Sequence, residues 1–328
     1  MNILLTGGCG FIGVNLVEAL LSHNKGNRIR VVDNLSVGTR EDLVSIGQFC
    51  EITGEEIADT PSHELELLVG DVRDEPLASL ACQGIDCVIH LAANTGVIPS
   101  IEDPKADCTS NVIGTLNYLD ASRKNSVKRF VFASSGAPLG EQEPPIHEEM
   151  VAHPISPYGA SKLSGEAYCS AYYGSFGLET VALRFGNVYG PRSSHKGSVV
   201  AKFIRHIFAD EPLTIYGDGN QTRDFVYVED LAQAILLALE KAEIGGEVFQ
   251  IATHKEHTVL EVAEALQRIA ERELGKKSDI VFENERKGEV RRNFSDISKA
   301  RKMLGFEPKF DLETGLERTF LWFIREGS

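Results

Sequence analysis

The chain has 328 residues, 42% of them hydrophobic, and carries a formal net charge of −15 at pH 7. This length and apolar content can form a sizeable core, arranged as one large domain or two smaller ones. The negative charge makes nucleic acid and anionic membrane surfaces unfavourable partners. If the ligand is an anion, a few local arginines must overcome this repulsive background.

The six cysteines are scattered, at positions 9, 50, 82, 87, 108 and 169. None forms a CxxC pair and no His/Cys cluster has zinc spacing, so we expect free thiols in a reducing compartment and no metal. The opening MNILLTGG is too short an apolar run for a signal peptide and lacks a basic leader. No segment has the roughly 18 consecutive apolar residues of a membrane span. The sequence therefore predicts a soluble cytoplasmic protein.

The first half of the chain alternates short apolar runs with longer amphipathic ones. The apolar runs, typical of buried parallel strands, lie at 2–7, 29–33, 65–71, 86–93 and 129–135. Helical periodicity occupies 11–24 and 111–125. This alternation predicts an α/β fold with a doubly wound parallel, Rossmann-type sheet.

The second half has a different texture. Residues 179–190 continue the first pattern, and two helical runs, 228–242 and 258–274, follow later. We place a soft domain boundary near residue 180 and expect the two parts to interweave. The acidic, irregular stretch 38–63 is interpreted as a surface excursion without an assigned function.

TGGCGFIG, residues 6–13, follows the first strand and opens the first helix. Gly7, Gly10 and Gly13 would allow a tight turn and let backbone amides approach a pyrophosphate at the positive end of the helix. Asp33 ends the second strand, 20 residues after Gly13. A carboxylate there binds ribose hydroxyls and repels a 2′-phosphate, which favours NAD over NADP. A glycine-rich turn beside a solvent-exposed aspartate is the alternative.

Two further strand ends belong to this predicted site. In GDVRD (70–74), Asp71 and Val72 could hold the adenine edge. HLAA (90–93) ends the fourth strand, at the edge of the sheet where ligands dock. We interpret His90 as a packed, hydrogen-bonded histidine without a chemical role.

SPYGASK, residues 156–162, places Tyr158 and Lys162 one helical turn apart, so both project from one face. Tyrosine, with a reference pKa of about 10, is a poor base at neutral pH, but a nearby ammonium and a nicotinamide cation would lower that pKa. The phenolate could then take a hydroxyl proton while hydride leaves the same carbon. Ser135 ends the preceding strand and could hydrogen-bond the reacting oxygen. A solvated helix-start pair is the alternative, disfavoured next to a dinucleotide motif.

Together, TGGCGFIG, Asp33, HLAA, Ser135 and YGASK resemble the extended short-chain dehydrogenase/reductase superfamily, specifically its nucleotide-sugar epimerases and dehydratases. The likeness covers nearly the whole chain. Stretches similar to UDP-glucose 4-epimerases lie at 33–38, 70–74, 184–192, 217–230 and 286–300. The resemblance implies an NAD-binding domain at 1–180, a smaller C-terminal nucleotide-sugar-binding domain at 181–328, NAD as cofactor and a UDP-sugar as substrate.

The resemblance also completes the list of candidate site residues. The cofactor-binding set is Gly7, Gly10, Phe11, Ile12, Gly13, Asp33, Asn34, Ser36, Gly38, Asp71, Val72, Leu91, Ala92, Ala93, Asn111, Tyr158 and Lys162. The substrate-binding set is Ser135, Tyr158, Asn187, Arg223, Arg286, Glu289 and Asn293. The catalytic set is Ser135, Tyr158 and Lys162.

The resemblance assigns roles to several of these residues. Asn111 would back the active-site helix, and Asn187 would touch the substrate near its diphosphate. Arg223 and Arg286 would neutralise that diphosphate, since guanidinium groups bind phosphates bidentately. Glu289 would accept hydrogen bonds from the uridine ribose. Arg223 taken alone fits a loop salt bridge equally well.

The reaction implied is 4-epimerisation by transient oxidation: Tyr158 takes the 4-OH proton, hydride passes to NAD, the 4-keto sugar turns, and hydride returns to the opposite face. Related dehydratases carry an Asp-Glu pair directly after the catalytic Ser/Thr, where this chain has Gly136 and Ala137. A glutamate found in related decarboxylases is also missing. These differences favour an epimerase, and the resemblance implies one of the UDP-glucose/UDP-galactose type.

The sequence leaves the exact sugar and the reaction class open. The substrate could be UDP-N-acetylglucosamine or UDP-glucuronate, because PLG (138–140) departs from the usual V-Y-G and the intermediate-sized Asn293 stands where some relatives have a bulky residue. Another nucleotide-sugar-modifying reaction is compatible with the same motifs. A non-catalytic NAD sensor on the same fold is a remote possibility.

A homodimer is also predicted. In the resembling family, helices equivalent to 111–125 and 157–173 pair across a dimer. The second helix carries Tyr168, Tyr172 and Tyr173, aromatic residues that suit an interface, although core packing is their ordinary role.

Overall fold

The computed structural model describes residues 1–58, 60–285 and 291–326. Its strands are β1 (Asn2–Thr6), β2 (Arg28–Asp33), β3 (Cys50–Ile52), β4 (Leu65–Val69), β5 (Cys87–His90), β6 (Arg129–Ser135), β7 (Glu179–Phe185), β8 (Asn187–Tyr189), β9 (Leu213–Tyr216), β10 (Thr222–Arg223), β11 (Phe225–Tyr227), β12 (Glu247–Ile251), β13 (His257–Thr258) and β14 (Ile280–Glu283). Within the described residues, no helix is long and apolar enough to cross a bilayer. The cytoplasmic location stays a prediction.

The helices alternate with the strands in the first half of the chain and dominate the second. They are α1 (Phe11–His23), α2 (Arg40–Val44), α3 (Glu75–Ala81), α4 (Val97–Glu102), α5 (Pro104–Cys108), α6 (Gly114–Lys124), α7 (Pro157–Phe176), α8 (Val199–Phe208), α9 (Val228–Glu240), α10 (Val259–Leu274) and α11 (Leu312–Glu326). A π-helical segment, Thr109–Ile113, joins α5 to α6.

A parallel sheet of eight strands forms the centre, in the order β12-β7-β6-β5-β1-β2-β4-β3. Successive residues of β1 enter different cores: Ile3 and Leu5 pack in a cluster with α1 and α9, whereas Leu4 packs in a cluster with α6 and α7. Because both faces are covered, the strands are continuous apolar runs. The predicted doubly wound, Rossmann-type α/β fold is confirmed.

The position of β1 locates the ligand edge of this sheet. Its neighbours are β2 on one side and β5 on the other. The strands from β2 to β4 therefore extend the sheet in one direction, and the later strands extend it in the other. Such a switch point opens a crevice at the carboxyl ends of the strands, where ligands bind. Gly7 follows β1, Asp33 ends β2, and Leu91 follows β5.

The second half of the chain builds a smaller unit with its own core from α8, α10 and α11. It contains three short strand pairs, β8 with β11, β9 with β14, and β10 with β13. Its strand β12 nevertheless pairs with β7 in the large sheet. The domain division at residue 180 stays a prediction.

The interpretation of 38–63 as an irregular excursion is wrong for two segments. Thr39 and Asp42 form a reciprocal cap at the start of α2. Residues Cys50–Ile52 form β3, which pairs with β4 at the edge of the sheet. A three-residue edge strand is too short to show a periodic pattern, so no sequence signal marks it.

Candidate active site

Tyr158 and Lys162 lie in the first two turns of α7. Ser156 caps this helix, its hydroxyl accepting a hydrogen bond from the Gly159 amide at 3.1 Å, and Pro157 occupies the first helical position, where a missing N–H costs nothing. The Lys162 Nζ atom lies 6.0 Å from the centre of the Tyr158 ring. The four-residue spacing therefore brings the phenol and the ammonium together.

The close approach of α7 to β6 fixes both groups. A Cβ atom on Gly165 would collide with the Phe132 ring, and one on Gly159 would lie 2.6 Å from the Ala137 carbonyl oxygen. At this separation Lys162 Nζ donates a hydrogen bond of 2.9 Å to the Ala133 carbonyl. Glycine at these two positions thus lets the lysine reach the strand.

Burial controls the ionisation of the pair. It raises the pKa of Tyr158, an effect opposed by a hydrogen bond with Ser135 and reinforced by the negative charge of Asp107. Burial also lowers the pKa of Lys162 to about 8. The sequence argument for a lower Tyr158 pKa counted the Lys162 ammonium and the charge of a nicotinamide ring, and it omitted this desolvation. The lowering with cofactor bound stays a prediction.

Ser135 ends β6 beside this pair. Its hydroxyl accepts a hydrogen bond of 3.2 Å from the Ala137 amide, which orients it at the start of a 3₁₀ turn, Ala137–Leu139. The structure brings the three predicted catalytic residues together, at the carboxyl end of a central strand.

The glycine loop 6–13 has the geometry of a pyrophosphate site. Gly7 has a φ of +73°, and a Cβ atom there would lie 2.9 Å from the Ala92 amide nitrogen. A Cβ atom on Gly13 would collide with the Gly7 carbonyl oxygen. The first turn of α1, which Phe11 and Ile12 open after Gly10, has no side-chain cap and no acidic residue. Its amides and its positive dipole are therefore available to an anion.

Asp33 links β2 to this loop. Its carboxylate accepts hydrogen bonds from the Cys9 amide at 2.9 Å and the Leu35 amide at 2.8 Å, and burial raises its pKa. A carboxylate has about four acceptor positions, so two bonds leave capacity for ribose hydroxyls. The loop and this carboxylate together fit NAD, with the pyrophosphate on α1 and the ribose on Asp33.

Further residues of the predicted cofactor-binding set lie at the ends of β2 and β4. The Asn34 side-chain amide donates a hydrogen bond of 3.1 Å to the Asp71 carboxylate. Its oxygen accepts a hydrogen bond of 3.1 Å from the Ser36 backbone amide. Arg73 binds Asp71 and lowers the pKa of that carboxyl. Two other residues of this set are tightly packed: Gly38 lies against the Cys9 carbonyl, and Val72 lies against Gly114.

Asn111 connects the cofactor edge to α7. The turn after β5, Leu91 to Ala93, is held by bonds of 3.2 Å from the Leu91 and Ala92 amides to Thr6. Beyond it, Asn94 exchanges two hydrogen bonds with the Asn111 side chain, at 2.7 and 2.9 Å. The same side chain donates to Ser161 on α7 and to Asp107 on α5. The expectation that Asn111 backs the active-site helix matches this geometry.

His90 is buried between two threonine hydroxyls, Thr6 at 2.9 Å and Thr115 at 3.2 Å. Burial lowers its pKa to about 3, so it is neutral. It is a packed, hydrogen-bonded histidine, as predicted.

Sequence reasoning missed one buried carboxylate, Asp224, which lies beside the predicted substrate residues Asn187 and Arg223. Asp224 is 2% exposed, and its side chain accepts bonds from Thr253 at 2.7 and 2.5 Å, from the His254 amide at 3.0 Å and from the Ser295 amide at 3.3 Å. The Asp224 backbone carbonyl accepts a hydrogen bond of 2.8 Å from the Asn187 backbone amide. Asp224 directly follows the predicted substrate residue Arg223, but no local sequence pattern indicates hydrogen-bond partners as far along the chain as Thr253 and Ser295.

Around Asp224, the Asn187 side chain is exposed and those of Arg223 and Asn293 are half-buried. Arg223 donates a bond of 2.7 Å to the Thr222 carbonyl. Arg286 and Glu289 lie outside the described residues. The structure therefore brings Asn187, Arg223 and the 291–295 segment together.

The chain is similar to one known family and to several solved enzymes. The NAD dependent epimerase/dehydratase family matches residues 3–252. A Thermotoga maritima UDP-glucose 4-epimerase solved with UDP-glucose is 37% identical, with a TM-score of 0.88 and 100% of both chains covered. A Methanobrevibacter ruminantium UDP-N-acetylglucosamine 4-epimerase in complex with UDP-N-acetylmuramic acid is 33% identical, TM-score 0.86, with 98% of both chains covered. A Bacillus cereus UDP-glucuronic acid 4-epimerase with UDP-glucuronic acid and NAD is 32% identical, TM-score 0.86, with 99% of both covered.

These matches agree with the site. The residues around Gly7 and Asp33 fit the cofactor that the matching family uses. The predictions of an enzyme, an NAD-dependent nucleotide-sugar epimerase, and of NAD as its cofactor are confirmed. The chain belongs to the NAD dependent epimerase/dehydratase family.

Proposed function

We propose that this enzyme is a 4-epimerase that interconverts UDP-glucose and UDP-galactose, with Ser135, Tyr158 and Lys162 as its catalytic residues. One observation carries the proposal. The Lys162 ammonium lies 6.0 Å from the centre of the Tyr158 ring, and Ser135 ends β6 beside this pair, at the sheet edge that holds the cofactor loop.

The proposed residues divide the chemistry between them. Tyr158, as the phenolate, takes the proton of the sugar 4-OH, and Ser135 hydrogen-bonds the same oxygen. Lys162 stabilises the phenolate electrostatically, because its ammonium is buried and held against β6. NAD, when bound, accepts hydride from C4 and returns it, and its positive ring adds to the preference for the phenolate. Between the two transfers the 4-keto sugar turns its other face to the cofactor.

Epimerisation is favoured over elimination by the residues after Ser135. A dehydratase needs an acid at this point, and Gly136 and Ala137 supply none. Ala137 instead uses its backbone amide to hold the Ser135 hydroxyl. The 4-keto sugar therefore has no acid here to remove its 6-OH, which favours return of the hydride.

The choice of sugar rests on a narrower basis. The Thermotoga structure with UDP-glucose has the highest identity of the three, which supports the glucose series. The structures of the N-acetylglucosamine and glucuronic acid enzymes superpose almost as well, so overall likeness does not discriminate. Asn293, half-buried and smaller than an aromatic residue, favours UDP-N-acetylglucosamine as a second candidate.

The diphosphate would be held by the second half of the chain. We infer that Arg223 and Arg286 contact its oxygens, that Asn187 lies beside it, and that Glu289 binds the uridine ribose. Two guanidinium groups at one point would overcome the repulsion from a chain whose net charge is −15.

A product assay on the purified protein, without added NAD, tests this function. Separate samples of UDP-glucose, UDP-galactose, UDP-N-acetylglucosamine and UDP-glucuronate are followed by NMR. A 4-epimer from UDP-glucose and from UDP-galactose is expected, because NAD stays bound and is regenerated in each cycle. Turnover of another sugar alone would overturn the proposed substrate. No epimer in any sample, even with NAD supplied, would overturn the reaction.

We also propose that the enzyme is a homodimer. On the segment from Thr109 to Phe176, Ile113, Tyr168 and Tyr173 are exposed at 44%, 39% and 41%, whereas Tyr172 is buried in the core. The exposed apolar side chains support pairing of α6 and α7 with a second copy, and Tyr172 serves the ordinary packing role instead. Light scattering should give twice the chain mass of 35.9 kDa, and a monomeric mass would reject the dimer.

A further inference from the structure

Asp107, near the end of α5, is a buried carboxylate beside the proposed catalytic pair. Its exposed fraction is 1%, and α5 packs directly against α7. It accepts a hydrogen bond of 2.9 Å from the Asn111 side-chain amide, which also donates a bond of 3.1 Å to the Ser161 hydroxyl on α7. Ser161 lies directly between Tyr158 and Lys162 in the sequence, and its hydroxyl contacts the Tyr158 carbonyl at 3.0 Å.

The Asn111 side-chain amide is neutral, so its hydrogen bond does not neutralise the Asp107 carboxylate. A buried carboxylate is costly unless it is paired, so an uncompensated one needs an explanation. Among the described residues Asp107 forms no ion pair within contact distance, and the cation that interacts with it is Lys162. The charge of Asp107 therefore acts on the catalytic pair.

The other acidic group near Lys162 is already neutralised. Glu166 lies one turn further along α7 and makes two bonds with Arg184, at 2.8 and 2.7 Å, and one with Ser134 at 2.5 Å. From β5, His90 faces the pair as a neutral ring, and from α7 itself Cys169 faces it as a neutral thiol. Of the two carboxylates that act on Lys162, Glu166 is thus offset by an arginine and Asp107 is not.

We propose that Asp107 is a positioning residue whose charge and hydrogen bonds set the pH range in which the Tyr158–Lys162 pair works. The inference rests on the proposed function, because it assumes that these two residues perform the proton transfer. No motif pointed to Asp107, because its nearness to Lys162 depends on how α5 packs against α7.

The sign of the effect follows from charge alone. A negative charge favours the ammonium of Lys162 and disfavours the phenolate of Tyr158, so it raises both pKa values. Asp107→Asn removes that charge and should lower both. Because the two groups titrate as a coupled pair, the order in which they lose protons does not matter. Both limbs of the pH–rate profile should move to lower pH.

The experiment compares the pH dependence of kcat for the wild type and Asp107→Asn, with the sugar that turns over fastest. Each limb should move down by roughly half a pH unit to one unit. Asp107→Glu should restore the limb positions because it restores the charge. Ser161→Ala is the matched control: it removes a hydrogen bond but no charge, so it should lower the rate with both limbs in place.

Two results would overturn the inference. One is a lower rate in Asp107→Asn with unmoved limbs, as a merely structural residue would give. The other is movement of the two limbs in opposite directions. Melting temperature and NAD content establish that each variant is folded and loaded.

Failure of the proposed function would be seen separately, as a wild type without epimerase activity. The ionisation of Tyr158 can then be read directly from ultraviolet phenolate absorbance, with Tyr158→Phe as the blank. A lower Tyr158 midpoint in Asp107→Asn would support the role of Asp107, and an equal midpoint would overturn it.

Discussion

The proposed cofactor side and the proposed substrate side of this site are assembled differently. On the cofactor side, the glycine loop and Asp33 come from the ends of neighbouring strands, and missing Cβ atoms permit the close contacts. On the substrate side, Asp224 collects backbone amides from segments 29 to 71 residues further along the chain. The first arrangement is local and appears in short motifs, whereas the second depends on the long-range path of the chain.

This difference implies that the two sides can be damaged separately. Substitutions in the glycine loop should act on NAD and leave the binding of sugar nucleotide nearly intact. Substitution of Asp224 should have the opposite effect. Tyr158 lies where the two sides meet, so its loss should affect the reaction without weakening either ligand.

Tyr158→Phe should have the largest effect on activity. Loss of a positioned proton acceptor lowers kcat by roughly 10²–10⁴-fold. The amount of NAD that copurifies and the affinity for UDP-glucose, measured by calorimetry, should stay close to wild type. Tyr168→Phe, on an exposed tyrosine of the same helix, is the control and should keep full activity. Equal rates in the two variants would contradict the assignment of Tyr158.

Asp224→Ala should destabilise the substrate side. It leaves buried amides of Thr253, His254 and Ser295 without their acceptor, which should cost roughly 2–4 kcal/mol in the free energy of unfolding. KM for the sugar nucleotide should rise while NAD content stays nearly unchanged. Denaturant titration and steady-state kinetics measure the two effects.

The control for Asp224 is Asp218→Ala, in the preceding loop. Asp218 is half exposed and pairs with an exposed Arg291, so its loss should change stability little. If both variants lose NAD and sugar nucleotide to the same extent, the distinction between the two sides fails.

Gly7→Ala should weaken the cofactor side. A φ of +73° costs an alanine about 1–2 kcal/mol, and its Cβ would crowd the Ala92 amide. Less NAD should copurify, and its dissociation constant should rise roughly tenfold. Gly47→Ala is the control, because a Cβ atom there meets no neighbour and φ is not in the left-handed region. A matching loss of UDP-glucose affinity would show that the sides are coupled.

Asp33→Asn should have the smallest effect and should appear in the choice of cofactor. It removes the charge that repels a 2′-phosphate but keeps one oxygen for the Cys9 or Leu35 amide. The preference for NAD over NADP should fall roughly tenfold, as read from the two dissociation constants. An unchanged preference would mean that another group excludes the phosphate.

The same contrast explains how much the sequence could predict. The strand predicted at 129–135 coincides with β6, and the helix predicted at 11–24 ends one residue later than α1. Buried parallel strands are continuous apolar runs, and the glycine loop is bounded by a strand and a helix, so these features are legible in short windows.

Three features were not legible, for a shared reason. The three residues of β3 become a strand only by pairing with β4. Asp224 gains its role from contacts with distant segments. The direction of the Tyr158 pKa shift depends on burial, which four-residue spacing does not reveal.

In the proposed reaction, hydride leaves C4 and returns to the same carbon within one active site. UDP-glucose carrying deuterium at C4, incubated with the purified enzyme without added NAD, tests it most directly. We expect UDP-galactose that keeps its deuterium at C4, read by NMR, together with enzyme-bound NAD that is not consumed. Epimer that has exchanged its deuterium for a solvent proton would rule out this mechanism.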